Sequence, residues 1–150
     1  MLDKIAALFG GAASKTESAP SEEDAQRSAV AALLVEAARA DADYTDDEKA
    51  IVERVLAGRF SLSPRAASAL REEGERLQAG AVDLHQFTKT VKELGADDKI
   101  AFIESLWEIV MSDGARDSYE DALMRRLCGL LYVDDQASGE ARLRVIKRLK

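Results

Sequence analysis

At 150 residues the chain is long enough for one domain with an ordinary hydrophobic core, and its composition, nearly half apolar and one-third charged, argues against disorder. The net charge of −7 argues against a nucleic-acid surface, because duplex binding depends on Lys and Arg neutralising phosphates. One cysteine excludes an internal disulfide and indicates a reducing compartment, and no apolar run approaches the roughly 20 residues of a transmembrane helix.

The N-terminal segment, residues 1–9, is predicted to form a short amphipathic helix with four apolar residues on one face: Leu2, Ile5, Leu8 and Phe9. It lacks the cleavage site of a secretory signal. Two roles stay open for it: docking on its own domain or on a partner, or anchoring at a membrane surface, where Lys4 would be its only base. We therefore expect a cytoplasmic protein, and the alternative is a peripheral position at the inner membrane.

Residues 10–21 are rich in Gly, Ala, Ser, Thr and Pro and predict a flexible linker, so the domain proper spans residues 22–150. Seven helices follow in this domain, and no alternating run predicts a strand. Their apolar positions include Val30, Leu33, Leu34, Ala37 and Ala38 in the first; Ile51, Val52, Val55 and Leu56 in the second; and Phe102, Ile103, Leu106, Trp107, Val110 and Met111 in the fifth.

Caps and further apolar positions define the other four helices. Ser63 with Pro64 opens the third, and Asp83 with Gln86 opens the fourth. The fifth begins near Asp97 or Asp98, and the last runs from about Gln136. The sixth carries Leu123, Leu127, Leu130 and Leu131, and the last carries Leu143, Ile146 and Leu149. The sequence therefore predicts an all-α fold, a compact bundle of about seven helices.

An internal repeat divides the chain. At an offset of 72 positions, residues 29–55 fall on residues 101–127 with 7 identities in 27 pairs. Three of these pairs are acidic: Glu36 with Glu108, Asp41 with Asp113, and Glu48 with Glu120. Pro64 then aligns with Gln136. This pattern predicts two pseudo-symmetric three-helix halves, joined by the helix from Asp83 to Leu94.

Each half carries an acidic segment where its first helix ends and its second begins. Thr45 with Glu48, and Asp117 with Glu120, have the spacing of a capping box, which favours a structural role for both glutamates. Asp41 and Asp113 instead follow a helix C-terminus, where a carboxylate opposes the helix dipole. Repetition of this unfavourable placement suggests that the carboxylates are needed there.

Clustered carboxylates in loops are typical ligands of Ca²⁺ or Mg²⁺. The spacing is not that of an EF-hand, since the twelfth position counted from Asp41 is Val52. The candidate metal ligands are the acidic residues of the two segments: Asp41, Asp43, Asp113, Asp117, Glu48 and Glu120. No other cofactor is predicted.

The other residues that could take part in catalysis or binding are predicted to have structural roles. Cys128 and Trp107 fall on core-facing positions, His85 is expected to be exposed, and Glu104 and Glu108 are one turn apart on a helix surface. One His and one Cys exclude the common zinc sites, and no Gly-rich phosphate loop is present. We therefore predict that the chain is not an enzyme.

The acidic segments resemble those of TerB-like domains, in which a helix ends in Ala-Asp-Gly and a Glu opens the next. Here the matching residues are Ala40-Asp41-Ala42 with Glu48, and Asp113-Gly114 with Glu120; Ala42 departs from the usual glycine. The tail, from Leu130 to Asp135 and from Ala141 to Val145, also resembles the family's closing helix. The resemblance implies a seven-helix bundle with an acidic face, a link to tellurite and stress resistance, cation binding, and membrane-associated partners.

Two functional hypotheses result. The first is a non-catalytic interaction module of a bacterial tellurite- or stress-resistance system, which binds a protein partner and a divalent cation at the acidic segments. The second is a metal-free adaptor, which docks on a partner, including one at a membrane, through an apolar groove and residues 1–9.

Overall fold

The computed structural model describes residues 21–39, 44–111 and 118–149, with only the backbone at positions 118–120. It contains seven helices: α1 (Glu22–Ala38), α2 (Asp46–Phe60), α3 (Pro64–Gly80), α4 (His85–Lys92), α5 (Ala96–Met111), α6 (Ser118–Leu131) and α7 (Asp135–Leu149). No strand occurs in these ranges. The all-α prediction and the predicted number of helices are confirmed. None of the helices is long and apolar enough to cross a membrane.

Helix α1 is the centre of the bundle. Between positions 29 and 38 every residue except Glu36 is buried, and α1 contacts α2, α3, α4 and α5. A helix that is apolar on all sides is typical of a position inside a bundle. The alanines allow close approach, and Gly74 of α3 lies directly against Ala31.

In both halves the first helix packs on the second and the third, although the second and third helices contact each other much less in the second half. In the first half α1 packs on α2 and α3, and in the second half α5 packs on α6 and α7. The first helices of the two halves, α1 and α5, also contact each other. The predicted pseudo-symmetric arrangement of α1–α3 and α5–α7, with α4 between them in the chain, is confirmed.

The alignment of the third helices is corrected by one residue. Ser61 and Tyr132 occupy the left-handed position after α2 and α6, and Leu62 N and Val133 N close equivalent bonds to Ala57 O and Cys128 O. The caps of the third helices, Ser63 Oγ and Asp134 Oδ1, accept from Ala66 N and Ala137 N. All these pairs differ by 71 positions, so Pro64 corresponds to Asp135 and not to Gln136.

Helix α4 makes the two halves unequal. It packs against both α1 and α6, and its apolar face consists of Phe87, Thr88 and Val91, with Leu84 just before it. On the opposite side no helix intervenes, and α2 contacts α5 directly. There the surface is polar: Arg54 pairs with Glu108 across the two helices.

Helix α7 faces the core with a different side from the one predicted. Its buried residues are Ser138, Ala141 and Val145, whereas Leu143 is 60% exposed and Leu149 is also exposed. The small residues allow α7 to approach α5 closely, and this leaves the large leucines on the outside. Leu130 of α6, which was predicted in the core, is likewise exposed.

Helix α4 also begins later than predicted. Its N-cap is the buried residue Leu84, which makes no side-chain capping bond. Asp83 accepts the backbone N–H of His85, the first helical residue, at 2.9 Å. The predicted capping pair of Asp83 with Gln86 is therefore wrong. Helix α5 begins at Ala96, within two residues of the predicted start.

Candidate functional site

Most of the predicted ligands lie outside the described residues. This applies to Asp41, Asp43, Asp113 and Asp117, and the side chain of Glu120 is not described either. Their grouping at a cation therefore stays a prediction. Glu48 is described, and so are the helix ends on both sides of each acidic segment.

Glu48 forms the predicted capping box. Thr45 Oγ1 accepts from Glu48 N at 3.2 Å, and Glu48 Oε1 accepts from Thr45 N at 3.0 Å. Asp46 and Asp47 join Glu48 in the first turn of α2, where negative charge complements the helix dipole. The capping role of Glu48 is confirmed, and a contribution of the same carboxylate to cation binding stays a prediction.

A network of ion pairs and hydrogen bonds begins at Tyr44, where the chain leaves the first acidic segment. The Tyr44 hydroxyl donates to Glu75 Oε2 at 2.6 Å. Arg71 donates to the same oxygen of Glu75 and, through Nε, to Glu53 Oε2 at 2.6 Å. The side chain of Arg71 is only 12% exposed, so these charges pair in a partly desolvated setting. The network joins the start of α2 to α3.

The pKa values of this network follow from its geometry. Burial alone would raise the pKa of Glu75, but the hydrogen bonds from Tyr44 and Arg71 and the positive charge of Arg71 lower it overall. Burial, and then the bond to Glu75, raise the pKa of Tyr44. Tyr44 is therefore a neutral donor and Glu75 an ionised acceptor at neutral pH.

The other end of the same segment, Arg39, is held as well. Arg39 Nη1 donates to Gln78 Oε1 at 2.8 Å, and Gln78 Nε2 donates to Glu36 Oε1 at 2.8 Å. The Arg39 guanidinium also lies 4.8 Å from the centre of the Tyr44 ring. Both ends of residues 40–43 are thus tied to α3 and to each other.

The flank of the second acidic segment is a cavity between α5, α6 and α7. It encloses about 300 Å³ and is lined by Trp107, Asp121, Met124, Arg125, Cys128, Asp135, Ser138 and Gly139. Trp107 Nε1 donates to Ser138 Oγ at 3.1 Å. Cys128 is buried, as predicted, and burial raises the pKa of its thiol. These features describe an open cavity with a buried floor and a polar edge.

Arg71 and Arg142 occupy equivalent positions on α3 and α7, 71 residues apart, but their surroundings differ. Arg142 lies over the Trp107 ring at 5.8 Å from its centre, and its buried Nε–H has no acceptor among the residues that the structure describes. The counterpart of Glu53 is Met124 at the 71-residue offset of the helix ends and Arg125 at the 72-residue offset of the helix starts, and neither is acidic. The second half therefore lacks the arginine–glutamate network of the first.

Two carboxylates of α5, those of Glu104 and Glu108, form ion pairs with arginines. Glu104 accepts from Arg144 Nε at 2.7 Å and from Arg148 Nη1 at 2.9 Å, while Glu108 pairs with Arg54 and Arg148. Burial would raise the pKa of Glu104, but its two arginine partners lower it overall. The ion pairs of Glu104 and Glu108 thus join α5 to α2 and α7.

Within the described ranges, no group of three or more His, Cys, Asp and Glu side chains is placed to hold a metal ion. His85 is exposed, as predicted. The network of Tyr44, Arg71 and Glu75 was not predicted. The i,i+4 spacing of Arg71 and Glu75 was a visible signal for a helix-surface pair, but it did not indicate their contact with Tyr44.

The fold and the repeated acidic segments define this chain as an internally duplicated, all-helical domain of the TerB-like class. The chain belongs to the family described as tellurite resistance protein TerB, whose model matches residues 27–143. A crystal structure of a protein of unknown function from Porphyromonas gingivalis W83 has a similar fold, with a TM-score of 0.63 at 19% identity, and the match covers 92% of this chain and 98% of that one. No curated protein sequence matches the chain significantly.

Proposed function

We propose that this chain is a non-catalytic interaction module of a tellurite- or stress-resistance system, and that its acidic segments bind a divalent cation, Ca²⁺ or Mg²⁺. The observation that carries the proposal is the anchoring of residues 40–43 at both ends, through Arg39 to Gln78 and through Tyr44 to Glu75. Fixed ends reduce the entropy that the carboxylates of Asp41 and Asp43 lose when they converge on an ion.

The family supports the same function, since the model that matches most of the chain is that of a tellurite resistance protein. The second acidic segment, with Asp113, Asp117 and Glu120, would supply an equivalent site. The carboxylates of Glu53 and Glu75 already pair with Arg71. We therefore expect a cation to bind Asp41 and Asp43 and not these two glutamates.

Thermal unfolding tests this proposal. The full chain is unfolded in EDTA and then with excess Ca²⁺, Mg²⁺ or Zn²⁺. An ion that binds only the folded state at a hundred times its dissociation constant adds about 2.7 kcal/mol, which raises the midpoint by several degrees. We expect a rise with Ca²⁺ or Mg²⁺ that the double variant Asp41→Asn, Asp113→Asn abolishes.

The matched control is Asp24→Asn with Asp97→Asn, which removes the same charge from the first turns of α1 and α5. This control should keep the cation-dependent shift. An unchanged midpoint with all three ions would reject the cation site. Deletion of residues 1–21 would then test the metal-free adaptor, which predicts loss of partner binding without loss of folding.

A further inference from the structure

A groove lies between α4 and the C-terminal end of α6. We call it the basic groove. It encloses about 180 Å³ and is lined by His85, Thr88, Lys89, Lys92, Gly129, Leu130 and Tyr132. The second acidic segment precedes α6, whereas this groove lies where α6 ends, so about 20 Å of helix separates them. The groove therefore lies at the opposite end of α6 from the second acidic segment.

The charge of the basic groove is opposite to that of the whole chain. Its lining holds three bases and no acid, although the chain has a net charge of −7. In the part of the chain that the structure describes, no carboxylate pairs with Lys89 or Lys92, and Lys92 Nζ lies 5.0 Å from the Tyr132 ring centre. The arginines at positions 54, 144 and 148, by contrast, each pair with a glutamate. The two lysines are thus available to an anion from outside.

Tyr132 is an unexpected residue for its backbone position. Its φ is 60°, in the left-handed region that disfavours large side chains. The equivalent turn after α2 is closed by Ser61 in the same conformation, so the turn does not require an aromatic residue. The Tyr132 side chain is 78% exposed, so burial does not compensate for this backbone strain. A disfavoured residue kept on the surface suggests a role in binding.

The remaining walls are apolar and open. Leu130 is 36% exposed, and a Cβ added to Gly129 would meet no atom within 4 Å. At about 180 Å³ the groove is smaller than the roughly 300–1,000 Å³ of small-molecule sites. It has room for one side chain. An apolar floor, an exposed tyrosine and a cationic rim are together typical of the contact site for a peptide.

We propose that the basic groove binds an acidic segment of a partner protein. One apolar side chain of that segment lies against Leu130 and the Tyr132 ring, and its neighbouring carboxylates contact the ammonium groups of Lys89 and Lys92. Charge complementarity favours an acidic partner, because neither lysine forms an ion pair with a carboxylate among the described residues. The small volume of the basic groove favours a single apolar side chain as the anchor.

Fluorescence polarisation of the full chain with the fluorescein-labelled peptide Asp-Glu-Leu-Asp-Glu tests the proposal. Vesicles containing phosphatidylserine and free inorganic phosphate are the comparison probes. We expect saturable peptide binding at micromolar to millimolar concentration that weakens with added salt. The double variant Lys89→Glu, Lys92→Glu should weaken it at least tenfold.

Tyr132→Gly separates binding from folding. Glycine is the preferred residue at this left-handed position, so the variant should unfold at the same or a higher urea concentration. Its affinity for the peptide should nevertheless fall several-fold. The charge-matched control is Arg65→Glu with Lys147→Glu, which alters exposed residues of α3 and α7 and should leave peptide binding nearly unchanged.

Three results would overturn the proposal. One is no polarisation change up to millimolar peptide. Another is an equal loss of affinity in the control variant, which would show non-specific attraction. The third is that the phosphatidylserine vesicles or free phosphate bind in a way that depends on Lys89 and Lys92, whereas the peptide does not bind. That result would assign the groove to a lipid surface or a small anion.

Discussion

Gly74 of α3 lies directly against Ala31 of α1. A Cβ built on Gly74 would lie 2.8 Å from both the Cβ and the carbonyl carbon of Ala31. Because two of the three nearest atoms belong to the backbone of α1, they cannot move aside as the end of a flexible side chain could. The glycine therefore sets the distance between these two helices.

Gly74→Ala is expected to destabilise the fold. Overpacking a well-packed core typically costs about 1–3 kcal/mol, and the better helix propensity of alanine returns at most about 1 kcal/mol. Gly58→Ala is the matched control, because a Cβ there meets no atom within 4 Å. It should stabilise α2 slightly. Urea unfolding of both variants measures the difference, and a Gly74→Ala variant as stable as the parent would show that α1 can shift.

Glu75→Gln should reduce stability at neutral pH but have little effect in acid. The pKa of Glu75 is lowered in the folded state, so its ionised form stabilises the protein above the unfolded value of about 4.3, and this contribution is lost as the pH falls through the lower folded value. Hydrogen bonds to a charged group are worth about 1.5–3 kcal/mol. Urea unfolding at pH 7 and pH 3 should show the two proteins converging at the lower pH.

Glu93→Gln is the control for this pH dependence, since Glu93 is an exposed residue at the end of α4. It should leave the difference between pH 7 and pH 3 as in the parent. If Glu75→Gln instead showed the same deficit at both pH values, the loss would come from packing and not from the carboxylate charge.

Two variants of Glu48 separate capping from cation binding. Glu48→Gln keeps an oxygen that can accept from Thr45 N, so stability without added ions should fall by only a few tenths of a kcal/mol. Glu48→Ala removes the acceptor and should cost about 1 kcal/mol. Titration with Ca²⁺ then gives the second readout. A Glu48→Gln variant that loses the cation-dependent shift would make this carboxylate a ligand as well as a cap.

Cys128 should be nearly inert in the folded protein. Its side chain is 3% exposed, and burial raises the pKa of its thiol, so little thiolate reaches a reagent at neutral pH. Reaction with the thiol reagent DTNB should be at least about a hundredfold slower in buffer than in concentrated urea, because it requires opening of the fold. Equal rates in the two conditions would contradict the buried position.

Periodicity and caps were sufficient for most of the fold. The predicted apolar positions of α1, α2 and α5 are in the core, except that Ile51 and Met111 are partly buried against it, and Ser63 with Pro64 opens α3 as the spacing indicated. Periodicity misled at α7, where three large residues at helical spacing formed a convincing apolar face. That helix instead buries Ser138 and Ala141, because close approach to α5 depends on small side chains, which a hydrophobicity pattern undervalues.

The site was less predictable than the fold. Capping by Glu48 depends on a local three-residue spacing and could be predicted. The contact of Tyr44 with Glu75 joins residues 31 positions apart, and the bridging of Glu104 and Glu108 by Arg148 joins residues 40 or more apart. Such partners are brought together by helix packing, so spacing along one helix does not reveal them.

The central position of α1 has a consequence for synthesis. It is the first described helix to leave the ribosome, whereas its partners α2, α3, α4 and α5 end at residues 60, 80, 92 and 111, so the last partner is complete 111 − 38 = 73 residues after α1 ends. At roughly 5–20 residues per second, this interval is about 4–15 s. The apolar surface of α1 is thus covered in steps, and its most extensive contact, with α3, is missing until residue 80.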